Sequence, residues 1–236
     1  MSIKAVLFDL DGTLLPMDLE KFMKLYLSAI SSRMAELGYK PKATVDAVLR
    51  GSYAMIKNDG GQLNSDVFWG VFCEIFGKDA ILDKPKVDAF YLDGFDVTRA
   101  ACSYNPEVPR LISFLKERGL RLILATNPLF PPIATEKRME WAGLDKADFE
   151  LYTTYENSHF CKPNLDYYRE ILNSTALSAE ECLMIGNDTS DDMVAKALGM
   201  KVFLLTDCLI NAKGEDISQY PHGSFTELYA YLNETV

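Results

Sequence analysis

Asp9 and Asp11 follow directly on a short apolar run, Ala5-Val6-Leu7-Phe8, in the segment Asp9-Leu10-Asp11-Gly12-Thr13-Leu14. In a strand, residues i and i+2 point the same way, so the two carboxylates begin on one face. Gly12 then allows the sharp turn that leaves both exposed at the end of the strand. Two ionised carboxylates about 4 Å apart repel by roughly 4 kcal/mol at an effective dielectric of about 20. A fold keeps such a pair only if one carboxyl holds its proton, ready to donate it, or if a cation lies between them. For an isolated Asp-x-Asp the simpler account is that Asp11 caps the following turn.

Three further segments shift the balance. Leu122-Ile123-Leu124-Ala125 runs into Thr126-Asn127-Pro128, which supplies a hydroxyl and a turn-forming amide. Lys162-Pro163 stands between a candidate strand and a helix beginning near Asn164. Leu183-Met184-Ile185 empties into Gly186-Asn187-Asp188-Thr189-Ser190-Asp191-Asp192. The aspartates there need a cation or hydrogen-bond donors, and only oxygen ligands are on offer. Magnesium (Mg2+), a hard ion with water-rich octahedral coordination, is the natural candidate. The chain's only histidines, His159 and His222, are too few for a histidine-rich metal site. An in-line attacker, a proton donor, a hydroxyl, a lysine and a metal-ligating carboxylate are what phosphoryl transfer needs.

Positioning these groups requires the ends of several strands to meet. The apolar runs at residues 5–8, 120–126, 183–185 and 202–205, with a weaker one at 149–154, are continuous rather than alternating. That pattern predicts strands covered on both faces, as in a parallel sheet. Helical patterns lie between them. Asn105-Pro106 starts one that carries Val108, Leu111, Ile112 and Leu115 and ends at Gly119. Ser224 and Glu227 form a capping-box pattern ahead of another, with Phe225, Leu228, Tyr229 and Leu232 on one face. Alternating strands and helices predict a doubly wound α/β core, in which ligands bind at the C-terminal edge of the strands.

The stretch from about Met17 to Phe95 is different. Its apolar residues fall at helical spacing around Phe22–Ile30, Val45–Leu49 and Phe68–Ile75, and no strand interrupts them. The expected division is therefore a core of residues 1–16 and 96–236 and an inserted α-helical cap domain of residues 17–95.

Composition narrows the partners. The chain has 236 residues, a net charge of −10 and a pI near 4.8, which argues against nucleic acid and anionic membranes, both of which attract basic surfaces. Five scattered cysteines show no CxxC spacing, so neither a disulfide framework nor a zinc site is expected. No signal peptide or membrane span is legible, which makes the cytoplasm the default compartment.

The four motifs in order, Asp9-Leu10-Asp11-Gly12-Thr13, Thr126-Asn127, Lys162-Pro163 and Gly186-Asn187-Asp188 with Asp192, resemble those of the haloacid dehalogenase-like (HAD) superfamily. Each motif alone is weak; the four in order, each after its own strand, are strong. The resemblance covers residues 5 to about 206 outside the helical insertion. It implies that Asp9 is the nucleophile, forming an aspartyl-phosphate, and that Asp11 is the acid and base. It further implies that Thr126, Lys162 and the backbone near Asn127 hold the phosphoryl group. Mg2+ would be bound by the Asp9 carboxylate, the Asp11 backbone carbonyl and Asp188, with Asp192 and Asp191 orienting waters or Lys162. Asn187 stands where many relatives have glycine, and is expected to tune the metal's water shell.

The implied function is a magnesium-dependent phosphatase acting on a small phosphorylated metabolite, with a sugar-phosphate mutase as the alternative. A dehalogenase or phosphonate hydrolase would lack Asp11. A signalling receiver domain does not accommodate the long insertion after the first strand or the second aspartate. A silent binding protein would have lost one of Asp9, Asp11, Lys162 or Asp188. His159, Cys161 and Asp18 are assigned no direct role. Trp69 and Trp141 are expected to pack, and Arg50, Tyr53 and Lys57 to lie on a solvated helix face.

Overall fold

Every residue of the first apolar run is fully buried, because the strand it forms is covered on both sides. The computed structural model describes residues 2–236. Strand β1 (Ala5–Phe8) sends Ala5 and Leu7 to one face and Val6 and Phe8 to the other. After it the chain leaves the sheet and forms four helices: α1 (Leu19–Glu36), α2 (Pro41–Ile56), α3 (Asn64–Phe76) and α4 (Lys84–Asp93). Asp18 caps α1 by accepting a hydrogen bond from the Lys21 N–H at 3.0 Å. The helical run does not stop at Phe95. It continues as a 3-10 segment, Gly94–Ala101, and rejoins the core where Met17 and Cys102 form an antiparallel bridge.

The core then alternates: α5 (Glu107–Glu117), β2 (Arg121–Leu124), α6 (Pro132–Trp141), β3 (Leu151–Tyr152), α7 (Leu165–Thr175), β4 (Cys182–Gly186), β5 (Lys201–Leu205), β6 (His222–Gly223) and α8 (Phe225–Thr235). All six strands are parallel, in the spatial order β3-β2-β1-β4-β5-β6. The expected residues of α5 (Val108, Leu111, Ile112 and Leu115) and those of α8 pack on the Val6 and Phe8 face. Tyr167, Tyr168 and Ile171 of α7 cover the opposite face. The result is the doubly wound sheet that continuous apolar strands demand.

Two elements were not legible beforehand. Strand β6 is two residues long, too short for any periodicity, and α4 buries only Val87, Phe90 and Tyr91 among charged neighbours. Helix α3 also docks onto the core. Its first residues donate backbone hydrogen bonds, Asn64 N–H to Ser158 O at 2.9 Å and Ser65 N–H to Tyr155 O at 2.8 Å.

Candidate active site

In the register of the central strands Phe8 stands opposite Leu124 on one side and Ile185 on the other. The chain therefore leaves all three strands at one level. Asp9, Asp11, Thr126, Asn127, Lys162 and Asp188, all expected at a site, line a single cleft of about 220 Å³ at this edge. Phe22 and Met23 of α1 close it from the insertion side.

Lys162 organises the floor of the cleft. Its side chain is buried, and Nζ donates to Asp9 Oδ1 at 2.9 Å and to Asp192 Oδ1 at 2.7 Å. Desolvation alone would lower its pKa, but the charges of Asp192 and Asp9 outweigh it and hold the ammonium well above its ordinary range. Burial pushes Asp192 the other way, toward the neutral form, against the pull of Lys162. We take the pair as ionic, since Asp192 accepts from the Lys162 ammonium on one oxygen and from the Asp188 N–H at 3.0 Å on the other. Asp192 thus fixes Lys162 and the Asp188 loop together. Gly186 makes room for it: a Cβ there would lie 2.1 Å from Asp192 Oδ2.

Asp9 is further tied by Thr13, whose Oγ1 lies 3.3 Å from Asp9 Oδ2 and 3.0 Å from Asn187 Oδ1. Asn187 is buried and donates through Nδ2 to the Cys208 carbonyl at 2.7 Å. Both halves of its amide are thus committed to protein, so it braces the first loop; this corrects the expectation that it tunes a metal's water shell. Gly12 is required beneath it, with a φ of 86° and only 2.3 Å between an added Cβ and Asn187 Nδ2.

Asp188 Oδ1 accepts the N–H groups of Ser190 (2.7 Å) and Asp191 (3.0 Å), an Asx turn that leaves Oδ2 without a partner among the described residues. The Thr126 carbonyl is held by Thr153 Oγ1 (2.6 Å) and Tyr167 Oη (2.9 Å), while its own hydroxyl makes no hydrogen bond among the described residues. Asn127 donates to Asp191 Oδ2 at 3.4 Å, and its Oδ1 is buried with no partner among the described residues.

The residue that sequence inspection missed is Arg138. It is 1% exposed, on α6, and its guanidinium pairs with Asp11 Oδ2. It also donates to Ala134 O and Thr135 Oγ1 and lies over the Phe130 ring, 4.7 Å from the centroid. A signal existed: Arg138 falls at helical spacing between Ala134 and Trp141, a charge on an apolar stripe. Burial raises the Asp11 carboxyl above its ordinary range against the pull of Arg138, and the charge of Asp9 adds to the rise. Its second oxygen, Oδ1, has no partner among the described residues.

Five carboxylates (Asp9, Asp11, Asp188, Asp191 and Asp192) face two cations, Lys162 and Arg138. The surplus of negative charge suits a divalent cation. Among the described residues no three His, Cys, Asp or Glu side chains form a ready-made metal cage. Two carboxylates, a backbone carbonyl and several waters fit magnesium, which dehydrates reluctantly, better than an ion needing a full protein cage.

A doubly wound sheet that gathers acids around a buried lysine at its C-terminal edge places the chain among the α/β enzymes. The family model for haloacid dehalogenase-like hydrolase matches residues 3–199, and the chain belongs to that family. Solved structures share the fold at low identity. A HAD phosphatase from Thermococcus onnurineus is 19% identical, with 98% of each chain covered and a TM-score of 0.58. A 2-haloacid dehalogenase from Pseudomonas syringae pv. tomato is 19% identical, covering 99% of this chain and 100% of its own, with a TM-score of 0.67. The HAD-hydrolase YfnB from Bacillus subtilis, described as bound to magnesium and as revealing interdomain movement, is 20% identical, covers 99% and 100%, and has a TM-score of 0.58. No curated protein sequence matches. Among the described residues no helix is long and apolar enough to cross a membrane.

Proposed function

We propose that the protein is a magnesium-dependent phosphatase that hydrolyses a small phosphate monoester through an aspartyl-phosphate on Asp9. The observation that carries this reading is Lys162, buried between Asp9 and Asp192 in a cleft with surplus carboxylates. A phosphate dianion enters such a cleft only if cations outnumber its charge locally. Lys162 is one cation, and a bound magnesium, held by Asp9, the Asp11 carbonyl and Asp188, would neutralise further charge on the phosphoryl oxygens.

In the first step an Asp9 oxygen forms a bond to phosphorus as the bond from phosphorus to the ester oxygen breaks. The leaving alkoxide takes its proton from the Asp11 carboxyl, which burial biases toward the protonated form. Lys162 and the Thr126 hydroxyl hold the transferring oxygens. In the second step Asp11, now a carboxylate, takes a proton from water. That water attacks phosphorus, orthophosphate leaves, and the Asp9 carboxylate is restored. Asp11 also favours phosphate chemistry over dehalogenation, which has no leaving oxygen to protonate. A sugar-phosphate mutase would use the same residues, but no feature of the site favours it.

The test is release of orthophosphate from an aryl phosphate with and without magnesium. Asp9→Asn should abolish turnover. Asp11→Asn should slow both steps by roughly two or more orders of magnitude, as loss of general acid-base help does. Undiminished hydrolysis after exhaustive chelation would contradict the metal assignment.

A further inference from the structure

Behind the catalytic cleft, between the insertion and the core, lies a second cavity of about 300 Å³. Residues of all four inserted helices line it, together with Leu129, Phe130 and Tyr155 of the core. Met23, Leu129 and Phe130 border both this cavity and the catalytic cleft, so the two spaces share a wall of three apolar side chains. What lines the inner cavity decides what can sit beside the phosphoryl group.

Among the described residues no Asp, Glu, Lys, Arg or His lines it. Its walls are dominated by aromatic rings, among them Tyr26, Phe68, Trp69, Tyr91 and Phe130. Of its few polar groups, Tyr26 and Tyr91 bond each other through their hydroxyls at 2.9 Å, while the Ser52, Tyr53 and Tyr155 hydroxyls make no hydrogen bond among the described residues. The buried atom left unpaired is in the indole of Trp69. Trp69 is 4% exposed, and its Nε1 is buried without a hydrogen-bond partner of proper geometry, although the Tyr155 hydroxyl is its neighbour. A buried indole N–H left unpaired costs stability unless a ligand atom accepts from it.

We propose that this cavity receives the alcohol portion of the substrate, and that the alcohol is aromatic or otherwise largely apolar, with an acceptor for Trp69 Nε1. The proposal rests on the phosphatase reading for the position of the phosphate. Polyols and short carboxylic acids are disfavoured by the same chemistry. A sugar would set its many hydroxyls against walls that are mostly aromatic and carry only a few scattered polar atoms, and a carboxylate would lose its hydration with no cation to replace it. The volume is at the lower end of small-molecule sites, about 300–1,000 Å³, and suits one or two fused rings. Hydrolysis breaks the bond from phosphorus to the ester oxygen and leaves the arylmethanol in this cavity.

The test compares benzyl and naphthylmethyl phosphates with a hexose phosphate and phosphoglycolate, using kcat/KM from orthophosphate release. Arylmethyl esters are chosen because their leaving alcohols are nearly as weakly acidic as a sugar hydroxyl, so the comparison reads the cavity and not the leaving group. At least a tenfold preference for the arylmethyl esters is expected. Ser52→Trp, which fills the cavity, and Leu49→Asp, which brings a charge to its rim, should each cut that preference at least tenfold; circular dichroism checks that each variant is folded. Equal or better turnover of the hexose phosphate or phosphoglycolate would overturn the proposal. A separate arm measures binding of naphthylmethanol alone through tryptophan fluorescence. Binding that Ser52→Trp abolishes, with no turnover of any ester, would sink the phosphatase reading and leave the cavity assignment standing. Turnover without any binding of the alcohol would sink the cavity assignment alone.

Discussion

At the scale of single residues, Arg138 governs how Asp11 is held. A buried guanidinium survives because it has a carboxylate, a carbonyl, a hydroxyl and an aromatic face around it. Arg138→Met keeps the volume but leaves Asp11 without its charge partner. We expect a loss of about 3 kcal/mol in urea unfolding, the lower end for a broken buried pair, because a quarter of the Asp11 side chain meets solvent. Adding Asp11→Asn should recover part of that loss, and additivity of the two changes would show that they do not interact. Cys161 gives a second expectation. Burial pushes its thiol up to about 12, so at about pH 8 almost no thiolate forms. Iodoacetamide should leave Cys161 unmodified in the folded protein, and rapid labelling there, read by peptide mapping, would contradict its burial. Asp9, Asp11 and Asp188 were legible because they follow strands β1 and β4 within three residues, and Lys162 because it stands just ahead of helix α7 in the Lys-Pro pair. Arg138 was not, because its partner is 127 positions away and only the packing of α6 brings them together.

At the scale of elements, the four inserted helices form one module, and α1 brings Leu19, Phe22 and Met23 of that module to the catalytic cleft. The insertion meets the core through aromatic contacts: Phe22 and Tyr26 of α1 on Phe130, and Phe95 of the 3-10 segment on Trp141. We propose that the four helices form a lid that selects the leaving group and excludes bulk water. Thr126 and Lys162 belong to the core, so replacing the insertion with a short Gly/Ser linker should preserve orthophosphate binding and metal dependence. The profile of kcat/KM across a panel of phosphate esters should become weaker and flatter. An unchanged rank order and magnitude would mean that the core alone reads the substrate. Three of the four helices were legible because each carries apolar residues at helical spacing. The insertion rejoins the core at the Met17–Cys102 bridge, after a 3-10 segment, Gly94–Ala101, that carries no sequence period of its own.

For the whole molecule, the net charge of −10 and the chemistry of the cleft are linked. Five of the acidic residues converge at one sheet edge, where the order of strands brings distant loops together. That convergence was foreseeable from continuous apolar strands, since a parallel sheet aligns all its C-terminal ends. The shape and lining of the inner cavity were not, because they arise from four helices and three core residues packed at angles no periodicity encodes. The central claim is that phosphate passes through Asp9. Rapid acid quenching during turnover, followed by peptide mass analysis, tests it directly. The account predicts a phosphoryl group on the tryptic peptide Ala5–Lys21, at Asp9, formed and lost on the timescale of turnover and missing in Asp9→Asn. A phosphoryl group trapped on any other side chain, or turnover at the wild-type rate by Asp9→Asn, would contradict it.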